Sequence, residues 1–125
     1  MYDVYVFDLD DTLLYYKRGF VVPRQTHHFL RDLWARGKLI IIVSYNPLVK
    51  ALVRYTELSK YCKHVFYGEE SRYDLVKEAL EGAKANGSVV YFDDRHDNIV
   101  DVKRLGIDCF HVKSALTLYQ QINRD

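Results

Sequence analysis

The chain has 125 residues and a formal net charge of +1. That is one domain's worth of sequence, able to bury about two-thirds of its unfolded surface, and its charge balance leaves no electrostatic footprint for nucleic acid or an anionic membrane. No apolar run reaches membrane-spanning length, Met1-Tyr2-Asp3 opens no basic, cleavable leader, and Cys62 and Cys109 are spaced like neither a zinc site nor a redox pair; the expectation is a single domain, 1–125, in a cytoplasmic protein with reduced, buried thiols.

Tyr2 to Phe7 reads as the first strand, an apolar and β-branched run that ends in Asp8-Leu9-Asp10-Asp11-Thr12-Leu13. Asp8 and Asp10 are two apart, so on a continuing strand they face one side, and a bound cation relieves their repulsion. Leu13 to Val22, with Gly19 between β-forming residues, predicts a short hairpin with Lys17 and Arg18 at its tip. Pro23 opens a helix capped by Thr26 or Gln25, with His28, Phe29, Leu30, Leu33 and Trp34 at helical spacing and Gly37 at its end. Adjacent His27 and His28 face different directions on a helix, so they read as ordinary surface or core residues. The 11 tyrosines read as strand residues.

Leu39 to Val43 is the second strand and ends at Ser44, with Asn46 close by. The Ser44 hydroxyl has two readings: a donor to a bound anion, or a cap for the helix after Pro47. Leu48 to Lys60 predicts a helix with Leu48, Leu52, Tyr55 and Leu58 on one side. His64 to Tyr67 is the third strand, broken by Gly68; Ser71 caps the next helix, with Asp74 three residues on. Tyr73 to Ala85 is helical and stops at Asn86-Gly87. Val89 to Phe92 repeats the opening logic, a strand that ends in Asp93-Asp94. Arg95 to Leu105 is a helix closed by Gly106, Ile107 to Val112 is the last strand, and Ser114 caps a final helix with Leu116, Leu118, Tyr119 and Ile122.

Strands alternating with helices predict an α/β fold with five parallel strands and right-handed crossovers. If the first strand is central, its carboxyl end is the switch point, and Asp8, Ser44 and Asp94 meet at one crevice.

Asp8-Leu9-Asp10-Asp11-Thr12-Leu13 resembles the first signature of the haloacid dehalogenase (HAD) superfamily, in the form carried by its phosphatases. A hydrophobic strand ending in Ser44, a basic residue at the start of the helix after the third strand, and the Asp93-Asp94 pair resemble the other three, in order. Tyr91 to Ile107, with Asn98-Ile99-Val100-Asp101-Val102-Lys103-Arg104-Leu105-Gly106, is similar to the magnesium-dependent phosphatase (type one) subfamily. The resemblance implies a Rossmann-like three-layer αβα sandwich, strand order 5-4-1-2-3, with a hairpin flap. It implies a Mg2+-dependent phosphomonoester hydrolase. Asp8 is its nucleophile and Asp10 its acid/base, with Thr12 fixing the loop. Asp8, the Asp10 carbonyl and Asp94 are its metal ligands. Ser44, Asn46 and Arg72 hold phosphate, with Lys77 and Lys63 as competitors to Arg72. Asp93 and Asn98 support the ligands from behind. The stretches on either side of Ser44 have no room for an inserted cap domain, which implies an open site for phosphoprotein or other bulky esters. Sugar phosphates and nucleic-acid 3′-phosphates remain alternatives, and a non-catalytic phosphate receiver is a more distant one.

Overall fold

In the computed structural model, which describes residues 2–17, 19–114, 118 and 120, the opening apolar run is strand β1, Val4–Asp8, and all five of its residues are buried. A hairpin follows, β2 (Tyr15–Tyr16) paired antiparallel with β3 (Phe20–Val21). Then come α1 (Arg24–Ala35), β4 (Leu39–Ser44), α2 (Val49–Tyr55), a 3-10 turn (Leu58–Lys60), β5 (His64–Tyr67), α3 (Arg72–Gly82), β6 (Val89–Asp93), α4 (His96–Lys103) and β7 (Asp108–His111). β1 is central, with β4 and β6 parallel on either side, and the sheet runs β5-β4-β1-β6-β7. This order differs in its numbers from 5-4-1-2-3 because the hairpin, which lies outside the sheet, takes two strand numbers of its own. Neither the segment between β1 and β4 nor that between β4 and β6 carries an inserted domain among the described residues.

The alternation of β1 builds a core on each face of the sheet. Tyr5 and Phe7 point to one side, where Ile40, Ile42, Val90 and Phe92 meet Phe29, Leu30 and Leu33 of α1 and Val49, Leu52 and Val53 of α2. Phe7 stacks on Phe92 at 5.1 Å between ring centroids, and Phe92 on Phe110 at 5.6 Å. Val4 and Val6 point the other way, with Ile41, Val43 and Tyr91, against Leu75, Val76 and Ala79 of α3 and Ile99 and Val102 of α4. Asp8 shares the parity of Val4 and Val6, so its carboxylate emerges on the α3/α4 side.

Several local expectations change. α1 begins at Arg24 after Pro23, which makes no side-chain cap, and Thr26 is buried inside the first turn rather than capping it. Trp34 is exposed, because the buried stripe is Thr26, Phe29, Leu30 and Leu33. α2 stops at Tyr55: Glu57 takes a left-handed φ of 65° and the chain restarts as a 3-10 turn. Its buried face is Val49, Leu52 and Val53, so Leu48 (63% exposed) and Tyr55 (75% exposed) look outward. Ser44 does not cap α2; its Oγ accepts from Asn46 N at 2.9 Å. Ser71 does cap α3, accepting from Asp74 N at 3.1 Å. Cys62 is buried and Cys109 half-buried, both free thiols. Tyr5 and Tyr91 are buried strand residues, whereas Tyr16, Tyr45, Tyr55 and Tyr67 are exposed. Arg18 lies outside the described residues, as does most of the expected final helix. Among the described residues, no helix is long and apolar enough to cross a membrane.

Candidate active site

The carboxyl ends of β1, β4 and β6 bring Asp8, Ser44 and Asp93-Asp94 to one edge of the sheet. The site is built around Asp8, which is buried. Thr12, the residue after the tight turn at Asp11 (φ 63°), donates its hydroxyl to Asp8 Oδ2 at 3.2 Å. Arg72, the first residue of α3, brings Nη2 to 3.3 Å from Asp8 Oδ1. It is buried, donates Nη1 to the Val43 carbonyl at 3.3 Å, and lies over the Tyr45 ring at 4.2 Å. Its Nε is buried with no hydrogen-bond partner among the described residues. Lys77 and Lys63 are exposed.

Carboxylate oxygens of Asp8, Asp93 and Asp94 lie within 4.8 Å of one another. Asp93 is already engaged at both oxygens. Arg95 N donates to Oδ1 at 2.9 Å, and the Tyr91 hydroxyl and Asn98 Nδ2 (3.0 Å) donate to Oδ2. Asp94 is half-buried, and its main-chain carbonyl accepts from His111 Nε2 at 2.7 Å. Asp8, held by Thr12 and Arg72, and the half-buried Asp94 lie close enough to share one cation. Desolvation, then the charge of Asp93, pushes Asp8 well above the usual carboxylate range against the pull of Arg72. Desolvation raises Asp94 as well. Two neighbouring carboxyls that resist ionisation in this way suit a divalent cation with hard oxygen ligands.

Asp10 does not continue the strand. It forms an isolated bridge with Leu14, and its Oδ1 accepts from the Tyr16 hydroxyl of the hairpin. Asn46 stands on the same side, its Nδ2 3.4 Å from the Tyr16 oxygen. Ser44 is buried beside them, and because its oxygen accepts from Asn46 N, its own hydrogen is left to donate. Lys17 is exposed at the hairpin turn and lines an open groove of about 640 Å³ that reaches Asp94, His111 and Lys113. Tyr16, Tyr45 and Tyr91 were not singled out from the sequence. Their ring type is ordinary for strands and turns, and only the fold aims their hydroxyls and faces at the acids and at Arg72.

No family model and no curated protein matches the chain. Solved structures do match over its length. A hydrolase from Streptococcus pneumoniae TIGR4 is 14% identical with a TM-score of 0.81, 98% of each chain being covered. A HAD-superfamily hydrolase from Ehrlichia chaffeensis is 13% identical with a TM-score of 0.78, covering 98% of this chain and 97% of that one. The N-terminal part of a Bacteroides fragilis protein, containing a phosphatase domain and complexed with Mg, is 15% identical with a TM-score of 0.77, covering 98% of this chain and 39% of that one. The chain therefore has the α/β fold of these hydrolases, a central five-stranded parallel sheet flanked by helices.

Proposed function

We propose that this chain is a single catalytic domain, a magnesium-dependent phosphomonoester hydrolase working through an aspartyl-phosphate on Asp8. The observation that carries the reading is the setting of Asp8: a buried carboxylate between Thr12 and Arg72, in a three-carboxylate cluster at the end of the central strand. The fold shared with a HAD-superfamily hydrolase and with a phosphatase domain complexed with Mg supports it.

The donor set fits magnesium, since it is all oxygen. Asp8, Asp94 and the main-chain carbonyl of Asp10 would hold the ion, which when bound offsets the repulsion between carboxylates and a phosphate dianion and polarises the phosphoryl oxygens. Asp8 attacks phosphorus in line, and the bond to the leaving oxygen breaks. Asp10 gives that oxygen a proton, then takes one from the water that attacks the aspartyl-phosphate, releasing phosphate and restoring Asp8. Arg72 and the hydroxyl hydrogen of Ser44 hold the equatorial oxygens. Arg72, through Nη2, also holds Asp8 in line. Thr12 steadies the other Asp8 oxygen. Asp93, fastened by Tyr91, Asn98 and Arg95 N, keeps the strand end rigid under Asp94.

The open groove and the lack of an inserted domain among the described residues favour bulky esters, phosphotyrosine or phosphoserine in proteins first. Sugar phosphates and nucleic-acid 3′-phosphates call for the same chemistry, and a panel of esters assayed with magnesium decides between them. The mechanism itself is tested with Asp8→Asn and p-nitrophenyl phosphate. Turnover is expected to fall to background with the melting transition retained, and EDTA is expected to stop the parent protein until magnesium is restored. Unchanged turnover in Asp8→Asn rules out this nucleophile.

A further inference from the structure

We infer that Tyr16 of the hairpin is the positioning residue of Asp10, its hydroxyl dictating which carboxyl oxygen exchanges the proton with the ester; this rests on the phosphatase reading above. A chain of three hydrogen bonds joins the loop after β4, the hairpin and the loop after β1. Leu48 N–H can only donate, and it donates to Asn46 Oδ1 at 2.9 Å. The nitrogen end of that amide therefore faces Tyr16, with Nδ2 at 3.4 Å from the hydroxyl oxygen. An amide nitrogen also only donates, so the Tyr16 oxygen accepts there and its single hydrogen goes to Asp10 Oδ1. A main-chain N–H at one end thus sets the direction of every bond.

The consequence falls on the carboxyl group. A proton on Oδ1 of Asp10 meets the Tyr16 hydrogen head on, so Oδ2 is the oxygen that carries and delivers it. A phenol keeps its proton across the neutral range, so the Tyr16 hydroxyl remains a donor there. The ring is held separately from the hydroxyl. Phe20 packs edge-on against Tyr16 at 5.3 Å and against Tyr55 at 6.2 Å. Tyr16→Phe therefore removes the hydroxyl and leaves the ring seated.

The test uses leaving groups that differ in their need for a proton. As the P–O bond breaks, its electron pair goes to the departing oxygen. p-Nitrophenolate departs unprotonated, whereas the serine oxygen of phosphoserine needs the proton from Asp10. With general acid catalysis contributing about 10²–10⁴-fold, Tyr16→Phe is expected to lower kcat/KM for phosphoserine by about tenfold or more, and for p-nitrophenyl phosphate by less than about threefold. In an Asp10→Asn background, adding Tyr16→Phe should change neither ratio further, because the two residues act as one unit. Equal losses on both esters, no loss on either, or a full effect that persists without Asp10 overturns the proposal. A parent protein inactive on every ester, or insensitive to Asp8→Asn, brings down the phosphatase reading and this inference together. Activity that depends on Asp8 and ignores Tyr16→Phe brings down this inference alone.

Discussion

Arg72 is the residue on which the charge balance of the site turns. Its guanidinium lies against Asp8, the Val43 carbonyl and the Tyr45 ring, while its stem is fixed at the start of α3. A lysine keeps the charge and loses the planar fork, the ring contact and the bond to the Val43 carbonyl. Arg72→Lys is therefore expected to lose about 1–2 kcal/mol of stability, read as a lower urea midpoint, along with most phosphatase turnover. Arg72→Ala leaves Asp8 buried against Asp93 and Asp94 with no cation, and removing one partner of a buried pair costs about 3–5 kcal/mol. If the alanine variant unfolded no more easily than the lysine variant, the pair would carry no structural weight. A second residue needs the opposite treatment. Thr26 is buried in the first turn of α1 and its hydroxyl has no partner among the described residues. Thr26→Val keeps the shape and removes the stranded oxygen, so urea unfolding is expected to report a gain of about 1 kcal/mol.

At the scale of elements, α2 is where periodicity misled. Leu48, Leu52, Tyr55 and Leu58 fit one helical face, but the helix ends at Tyr55 because Glu57 turns left-handed. A left-handed residue just past a helix end is ordinarily glycine, and Glu57 carries a Cβ penalty there. Glu57→Gly is expected to raise the melting temperature, the relieved strain of about 1 kcal/mol exceeding the exposed Glu57–Lys60 ion pair at 3.3 Å. A lower melting temperature would mean that the side chain holds the turn. The same contrast explains what was legible. The strands announced themselves as apolar runs. The parity of Asp8 with Val6, and the Ser71 cap that sets where α3 starts, together place Arg72 against the acids. The α1 cap and the exposure of Leu48 and Tyr55 depend on which side the sheet presents, information absent from a local window. The Tyr16–Asp10 bond depends on a two-stranded hairpin folding back over the loop after β1, a pairing of side chains from separate turns that no single motif carries.

The whole molecule gathers three carboxylates at the end of its central strands, and on the proposed reading this sets how its stability responds to pH and to magnesium. Desolvation raises Asp8 and Asp94 above the ordinary carboxylate range. The metal-free fold therefore favours their protonated forms. Their contribution to stability is present at low pH and is lost as pH rises from the ordinary carboxylate range through the raised values. Cation binding has the opposite sign, since it needs the ionised carboxylates and grows over that same window. Asp3, lowered by Ser88, and Asp97, lowered by Arg95, lose stability in acid. They do so equally with and without the ion, so the difference between two melts removes them. Saturating magnesium, at about a hundred times its dissociation constant, is worth about 2.7 kcal/mol, or on the order of 10 °C in a domain of this size. The shift between melts in EDTA and in magnesium is thus expected to approach that value near neutral pH, to shrink toward zero in acid, and to be blunted in Asp8→Asn. A shift equally large at both pH values, or one that Asp8→Asn leaves untouched, would place the ion somewhere other than between these carboxylates.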